Sequence, residues 1–216
     1  MVDFEECRGS THREAAGRLL AAGWDVCGVG DWAVVWRSPD GSRVARVCAF
    51  EPGFGVFVAL CRNLNGHPML PRIDFDAPLH GGGRLTVMEF LMPAEADAAQ
   101  DVMARWDAAL PEDPVTAVRR EAERLDAEAR GAVPYWGGLD RKPGHVMRRA
   151  AGDPVLVDLF FAQGLEIYKV LTEDPAAIAA AFPPEQRVHI GEIAAIARYS
   201  SPDEITALRA AAASIR

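Results

Sequence analysis

The stretch Gly137-Gly-Leu-Asp140-Arg-Lys142-Pro-Gly-His145-Val-Met-Arg-Arg-Ala-Ala-Gly-Asp-Pro-Val-Leu-Val-Asp158 decides how the rest of the chain is read. Asp140 opens a turn carried by Pro143 and Gly144. Val146-Met147 and Val155 to Val157 are short β-branched or apolar runs that predict two strands, and Ala151-Gly152-Asp153-Pro154 predicts the reversal between them. A hairpin of that length returns Asp158 towards Asp140. The stretch therefore predicts two carboxylates gathered at the ends of a turn and a short hairpin.

Composition limits what such a pair can belong to. The chain has 216 residues, half of them hydrophobic, enough to bury a core as one domain or two small lobes. Its net charge of -8 is spread without long runs, which argues against nucleic acid as a partner, because phosphate contacts need a basic face. The four cysteines, Cys7, Cys27, Cys48 and Cys61, form no C-x-x-C pair and are expected to be reduced core thiols. No apolar run reaches the roughly 18 residues of a membrane span, and Met1-Val-Asp-Phe-Glu-Glu is too acidic to open a signal peptide. A soluble, cytoplasmic protein without membrane contact is the expectation.

Outward from the central stretch, Thr11-His-Arg-Glu14 is a capping box, with Ala15, Leu19 and Ala22 on one face of a helix that Gly23 stops. Trp24 to Trp36 and Arg43 to Phe50 read as antiparallel strands parted by Ser38-Pro-Asp-Gly41. A helix is predicted from Phe54 to Asn65. Strands from Arg72 to Asp76 and Arg84 to Leu91 follow, joined through His80-Gly-Gly-Gly83. His67, before Pro68, reads as a structural turn histidine. Past Pro93 the chain turns helical: Asp113-Pro114 caps a helix that runs to Gly131, expected to pack under the Asp140 turn. Asp174-Pro175 and Ser201-Pro202-Asp-Glu204 start two more helices, and Val188, Ile193 and Ile196 suggest another between them.

These segments, in this order, resemble the protein kinase-like superfamily, which includes the aminoglycoside phosphotransferases. Asp140-Arg-Lys-Pro-Gly-His145 is similar to its catalytic loop, with Asp140 placed to orient an acceptor hydroxyl and Lys142 to contact the transferred phosphate. His145 stands where the family has a metal-holding Asn. Asp158 stands where the metal-binding Asp opens a DFG-type motif, although Leu159-Phe160 follow it. Gly28-Val-Gly30 resembles the glycine-rich loop, with Ala33 near the place of its third Gly. Arg46 of Val44-Ala45-Arg46 takes the place of the strand lysine, and its helix partner Glu is missing, so that Glu51 is the nearby candidate. Thr86-Val-Met88-Glu89-Phe-Leu91 is similar to the fifth strand and hinge, Met88 being the gatekeeper and Glu89 to Leu91 the adenine-facing backbone. No long activation segment and no Ala-Pro-Glu sequence follow Asp158, and the resemblance covers residues 24–158.

The resemblance implies an α+β, two-lobed kinase-like fold: an N-lobe over residues 1–93, with a five-stranded antiparallel sheet and a helix, and a small, mainly helical C-lobe over 94–216. It implies ATP as cofactor, with Gly28, Gly30 and Arg46 at the phosphates and Met88, Glu89 and Leu91 at the base. Mg²⁺ or Mn²⁺ would be held by Asp158 and, as an imidazole ligand, by His145. The partners implied are a nucleotide and a hydroxyl-bearing acceptor, protein or small molecule. Retained Asp140, Lys142 and Asp158 favour a phosphotransferase; Arg46, His145 and the missing helix Glu favour a pseudokinase that serves as a binding module. Nucleotidyl transfer is disfavoured by the lack of further basic residues near Gly28. In the plainest reading, Gly28 and Gly30 make an ordinary turn, Arg46 is a solvated strand residue, and Asp140 and Asp158 are turn acids.

Overall fold

The computed structural model describes residues 2–215. In chain order, helix α1 (His12–Ala21) precedes strands β1 (Asp25–Val29), β2 (Ala33–Arg37) and β3 (Arg43–Cys48), then helix α2 (Phe54–Asn63) and strands β4 (Ile73–Pro78), β5 (Arg84–Glu89) and β6 (Met92–Pro93). Helices α3 (Ala96–Ala108) and α4 (Pro114–Ala132) lead to β7 (Trp136–Leu139), a 3-10 turn at Pro143–His145, β8 (Val146–Arg148), β9 (Pro154–Leu156) and β10 (Phe160–Ala162). Helices α5 (Gly164–Glu173), α6 (Pro175–Ala181), α7 (Pro184–Arg187), α8 (Ala194–Tyr199) and α9 (Pro202–Ser214) follow, with a 3-10 turn at Ile190–Glu192 before α8. The fold is α+β, and its main sheet is five-stranded and antiparallel in the order β1-β2-β3-β5-β4.

The chain forms two compact units that interleave in sequence. One comprises residues 1–52, 74–88 and 163–216, the other 53–73 and 89–162. The division therefore does not fall at a single point near residue 93. Helix α2 belongs with the second unit and the C-terminal helices with the first.

In the first unit α1 starts at the Thr11 capping box, with reciprocal bonds to Glu14, and lays Ala15 and Leu19 on the sheet. They meet Trp24, Ala45, Val47, Leu79, Leu85 and Val87 in one buried cluster that Cys7 completes. Complete burial of a leucine such as Leu19 or Leu85 contributes roughly 2 kcal/mol, which is how a ten-residue helix of modest propensity is held. Elsewhere in this unit Phe50 packs edge-on against Phe182, and Trp32 lies against Phe50 and Tyr168. Helices α5, α6 and α9 pack on one another. Buried Arg187 donates to the carbonyls of Ala179 and Phe182, in and just after α6, and to that of Ile215 after α9 (2.6 Å), giving the negative ends of two helices one shared cation.

In the second unit α2 and α3 each pack on α4, and α4 lies against β7. Asp113 caps α4 by accepting from the Val115 amide (2.9 Å) and also grips Arg105 of α3 through two bonds of 2.8 Å. Strand β7 pairs antiparallel with β10, and β8 lies between β6 and β9.

Several expectations need correction. Cys27 is exposed, because β1 is an edge strand that a bulge between Val26 and Gly28 turns to solvent; the other three thiols are buried. Burial pushes those of Cys48 and Cys61 up to about 12. Strand β5 ends at Glu89 instead of Leu91, and α2 ends at Asn63. The helix suggested by Val188, Ile193 and Ile196 is broken into α7, a 3-10 turn and α8. The helix packed on the Pro143–His145 turn is α3, whereas α4 supports β7.

Candidate functional site

The second unit contains the turn and hairpin from Asp140 to Asp158. Strands β8 and β9 pair in the register Val146 with Leu156, Met147 with Val155 and Arg148 with Pro154. The Val157 amide then donates to the His145 carbonyl (2.9 Å), and the Asp140 amide to the Leu159 carbonyl (2.8 Å). These two bonds hold the 140–145 turn beside residues 157–159. The β7–β10 pairing, with Leu139 opposite Phe160, brackets both acids from the outside.

Within this turn the Lys142 ammonium donates to Asp140 Oδ2 at 2.7 Å. His145 Nδ1 lies 2.9 Å from the Asp140 carbonyl, and since a carbonyl only accepts, Nδ1 carries the proton. Its Nε2 lies 3.7 Å from Asp140 Oδ2. Asp140 is half-buried and Lys142 exposed, so carboxylate and ammonium both remain open to a ligand. Asp158 has φ of 53°, a left-handed conformation uncommon outside glycine, for which Asp and Asn are the usual exceptions. Such backbone gathers at sites whose side-chain direction matters more than local comfort.

Glu89, read as hinge, also lies in this unit and is held by its side chain. It accepts from the Arg149 guanidinium at 3.0 and 2.9 Å and from the Arg72 amide at 2.9 Å, while its own amide donates to the Arg72 carbonyl. Burial alone would raise the Glu89 pKa, but the bonds from Arg149 and Arg72 outweigh it and the net shift is downward. Arg149 further donates to the carbonyls of Pro68 and Leu70. His67 accepts from the Met69 amide through Nδ1, the structural role expected of it. A 290 Å³ hollow lined by Asn65, His67, Pro68, Arg72 and Arg149 adjoins this clamp. Leu91 is buried. Sequence reading passed over Arg149; an arginine just past a predicted strand gives no hint of three backbone and carboxylate partners.

The first unit holds Gly28, Gly30, Arg46 and Met88. Gly28 pairs with Val35 beside the bulge, and the Gly30 amide donates to the Ala33 carbonyl (2.9 Å), closing the β1–β2 hairpin. A methyl at either glycine would meet only ordinary contacts, so neither is required by local packing. The hairpin tip is tied to α8: the Ala195 amide donates to the Asp31 carbonyl and Arg198 to the Val29 carbonyl, both at 2.8 Å. Arg46 makes a two-pronged, largely buried ion pair with Glu51, the nearby candidate for the missing helix Glu. Met88 is buried in β5. A 610 Å³ cleft in this unit is lined by Arg8, Glu51, His80, Arg84, Glu185 and Gln186, with Gly81 to Gly83 along one wall. Gly28, Gly30 and Met88 are not among its walls.

The Gly81-Gly82-Gly83 triplet, read from sequence as a simple connection, is a packing surface. A Cβ on Gly82 would lie 1.8 Å from the Gln186 carbonyl oxygen, and one on Gly83 2.4 Å from that of Cys48. Three glycines in succession were the available signal.

No protein-family model matches the chain, and no curated protein matches it. Among solved structures it is similar to one described as the CAK complex from Chaetomium thermophilum bound to ATP-gamma-S, with 14% identity and a TM-score of 0.40, covering 91% of this chain and 70% of that one. It is also similar to MAP kinase LmaMPK10 from Leishmania major, with 14% identity and a TM-score of 0.35, covering 92% of this chain and 73% of that one. Likenesses this distant assign neither family nor activity.

Proposed function

We propose that the chain is a compact kinase-like phosphotransferase that moves the γ-phosphate of ATP to a hydroxyl of a protein or small molecule. The observation that carries the reading is the pair of backbone bonds, Val157 to His145 and Asp140 to Leu159, that gathers the Asp140–Lys142 pair and left-handed Asp158 into one small constellation. Asp140 orients the acceptor hydroxyl. Lys142, released from Asp140, neutralises charge on the transferred group. In a loose transition state positioning and charge neutralisation provide most of the acceleration.

The donor set fits one hard divalent ion better than two. Asp158 offers the carboxylate oxygens that Mg²⁺ or Mn²⁺ prefers, whereas an imidazole nitrogen of His145 is a borderline donor. A bound ion would screen the nucleotide's phosphate charge.

A second reading, a pseudokinase acting as a nucleotide-binding or interaction module, is favoured by the hairpin tip. The Gly30 amide is engaged by Ala33, and two carbonyls of the 29–31 segment are engaged by α8. Thermal unfolding with ATP in Mg²⁺, in Mn²⁺ and in EDTA separates the readings. Nucleotide at 100 times its dissociation constant stabilises the fold by about 2.7 kcal/mol. The expected outcome is a metal-dependent shift that Asp158→Ala abolishes and Asp140→Ala retains, with phosphate transfer lost in both. A shift without transfer to any acceptor supports the second reading, and no shift with any nucleotide overturns the first.

A further inference from the structure

The first unit holds a second cluster of chemically competent side chains that the phosphotransferase reading does not use. His12, at the start of α1, and His189 both turn towards Glu192 of the Ile190–Glu192 turn: His12 Nε2 lies 3.3 Å from Oε2 and His189 Nδ1 3.0 Å from Oε1. One ligand atom from each of the three lies within 4.8 Å of the other two. The two imidazoles meet edge to face with ring centroids 4.8 Å apart. From these residues we propose that His12, His189 and Glu192 form a binding site for a borderline divalent cation of the Zn²⁺ type, linking α1 to the segment before α8.

Spacing, chemistry and rigidity support the assignment. At metal–ligand distances of about 2.0–2.2 Å, neighbouring ligand atoms of a tetrahedral site lie roughly 3.3 Å apart, close to the separations of the two nitrogens from the carboxylate. Two imidazoles and a carboxylate are a frequent zinc donor set, with the fourth position left to water. The far nitrogens, His12 Nδ1 and His189 Nε2, are buried and have no hydrogen-bond partner among the described residues. Without a cation the Glu192 carboxylate accepts from the Nδ1–H of His189, and a cation bound there takes that proton's place, leaving the unpartnered far nitrogen to carry it.

Both rings are seated on rigid backbone. His12 follows the Thr11 cap, and the His189 amide donates to the Gly81 carbonyl (3.2 Å) with its ring where a side chain on Gly81 would otherwise stand. The surrounding charges are Arg13, which donates to Glu192 Oε2 at 2.5 Å, and His80, whose ring lies 6.4 Å from that of His189. Arg13 is largely exposed and can turn to solvent when a cation takes its place on the carboxylate.

The test is titration of chelator-treated protein with Co²⁺, read by visible absorption, and with Zn²⁺, read by thermal unfolding, in a Cys27→Ser background that removes the exposed thiol. The expected result is the visible spectrum of four-coordinate Co²⁺ and a Zn²⁺-dependent rise in Tm of about 5–10 °C at 100-fold excess over Kd, with no effect of Mg²⁺. His12→Gln and His189→Ala should each abolish both signals. The proposal is overturned if the parent protein gives neither signal, or if both persist in His12→Gln. The parent's Co²⁺ spectrum decides the matter even where His189→Ala does not fold.

Discussion

Asp158 joins two properties at one residue, a carboxylate and a left-handed backbone. They can be separated by substitution. Asp158→Gly removes the carboxylate and relieves the backbone, whereas Asp158→Ala removes the carboxylate but keeps the Cβ, whose penalty in this conformation is about 1–2 kcal/mol. Urea unfolding should rank glycine above alanine in stability, with neither variant binding nucleotide in a metal-dependent way. An alanine variant as stable as the glycine one would show that φ at 158 is not held. Arg149 is the complementary case. Arg149→Ala leaves the Pro68 and Leu70 carbonyls and the Glu89 carboxylate without its guanidinium, and should cost about 2–3 kcal/mol. Lysine should recover less than half of that, because it cannot fork. An equally stable lysine variant would reduce the clamp to simple charge.

At the scale of elements, the α3–α4 junction gives a prediction in pH. Arg105 first, and then the Val115 amide, depress the Asp113 pKa to about 2 from an ordinary 3.8. The folded value is the lower one, so its stabilisation is fully present above the ordinary value and is lost as pH falls from about 4 towards 2. Asp113→Asn keeps a capping side chain but cannot titrate. The stability difference between parent and variant should therefore shrink across that range in urea melts. A difference that stays constant with pH would remove Asp113 from the acid transition.

The same elements show what the sequence could carry. The Thr11 capping box and the helix starts at Ser201-Pro202 and Asp113-Pro114 were legible because their bonds are local, spanning two or three residues. So was the 146–156 hairpin, whose reversal carries its own turn residues. The pairing of β7 with β10 was not, since its partners lie some twenty residues apart and Trp136-Gly-Gly-Leu139 has no strand pattern of its own. Of the candidate site, the return of residue 158 towards the Asp140 turn was legible from the hairpin between them, and Glu51 as a partner for Arg46 from its nearness in sequence. The Lys142–Asp140 bond, the His145 tautomer and the occupied Gly30 amide depend on rotamers and register that no spacing records.

For the whole molecule, the glycine triplet explains how residues 163–216 come to share a unit with residues 1–52 and 74–88. Gly82 has φ of 98° and meets the Gln186 backbone, whereas Gly152 has φ of 99° and meets nothing within 4 Å. Gly82→Ala should thus cost about 3 kcal/mol or more, strain and overlap together, while Gly152→Ala should cost about 1–2 kcal/mol for strain alone. Equal costs would mean that the close approach at Gly82 relaxes freely.

That interleaving bears on how the protein is made. Residues 53–73 and 89–162 all emerge from the ribosome before α5 does, so the second unit can close while the rest of the chain is still emerging. The first unit cannot: its sheet is translated early, yet Phe50 waits for Phe182 and the Gly81 to Gly83 surface waits for residues 186–189. A nascent chain that has emerged only as far as residue 163 would expose these surfaces and present the stage most open to aggregation or chaperone capture.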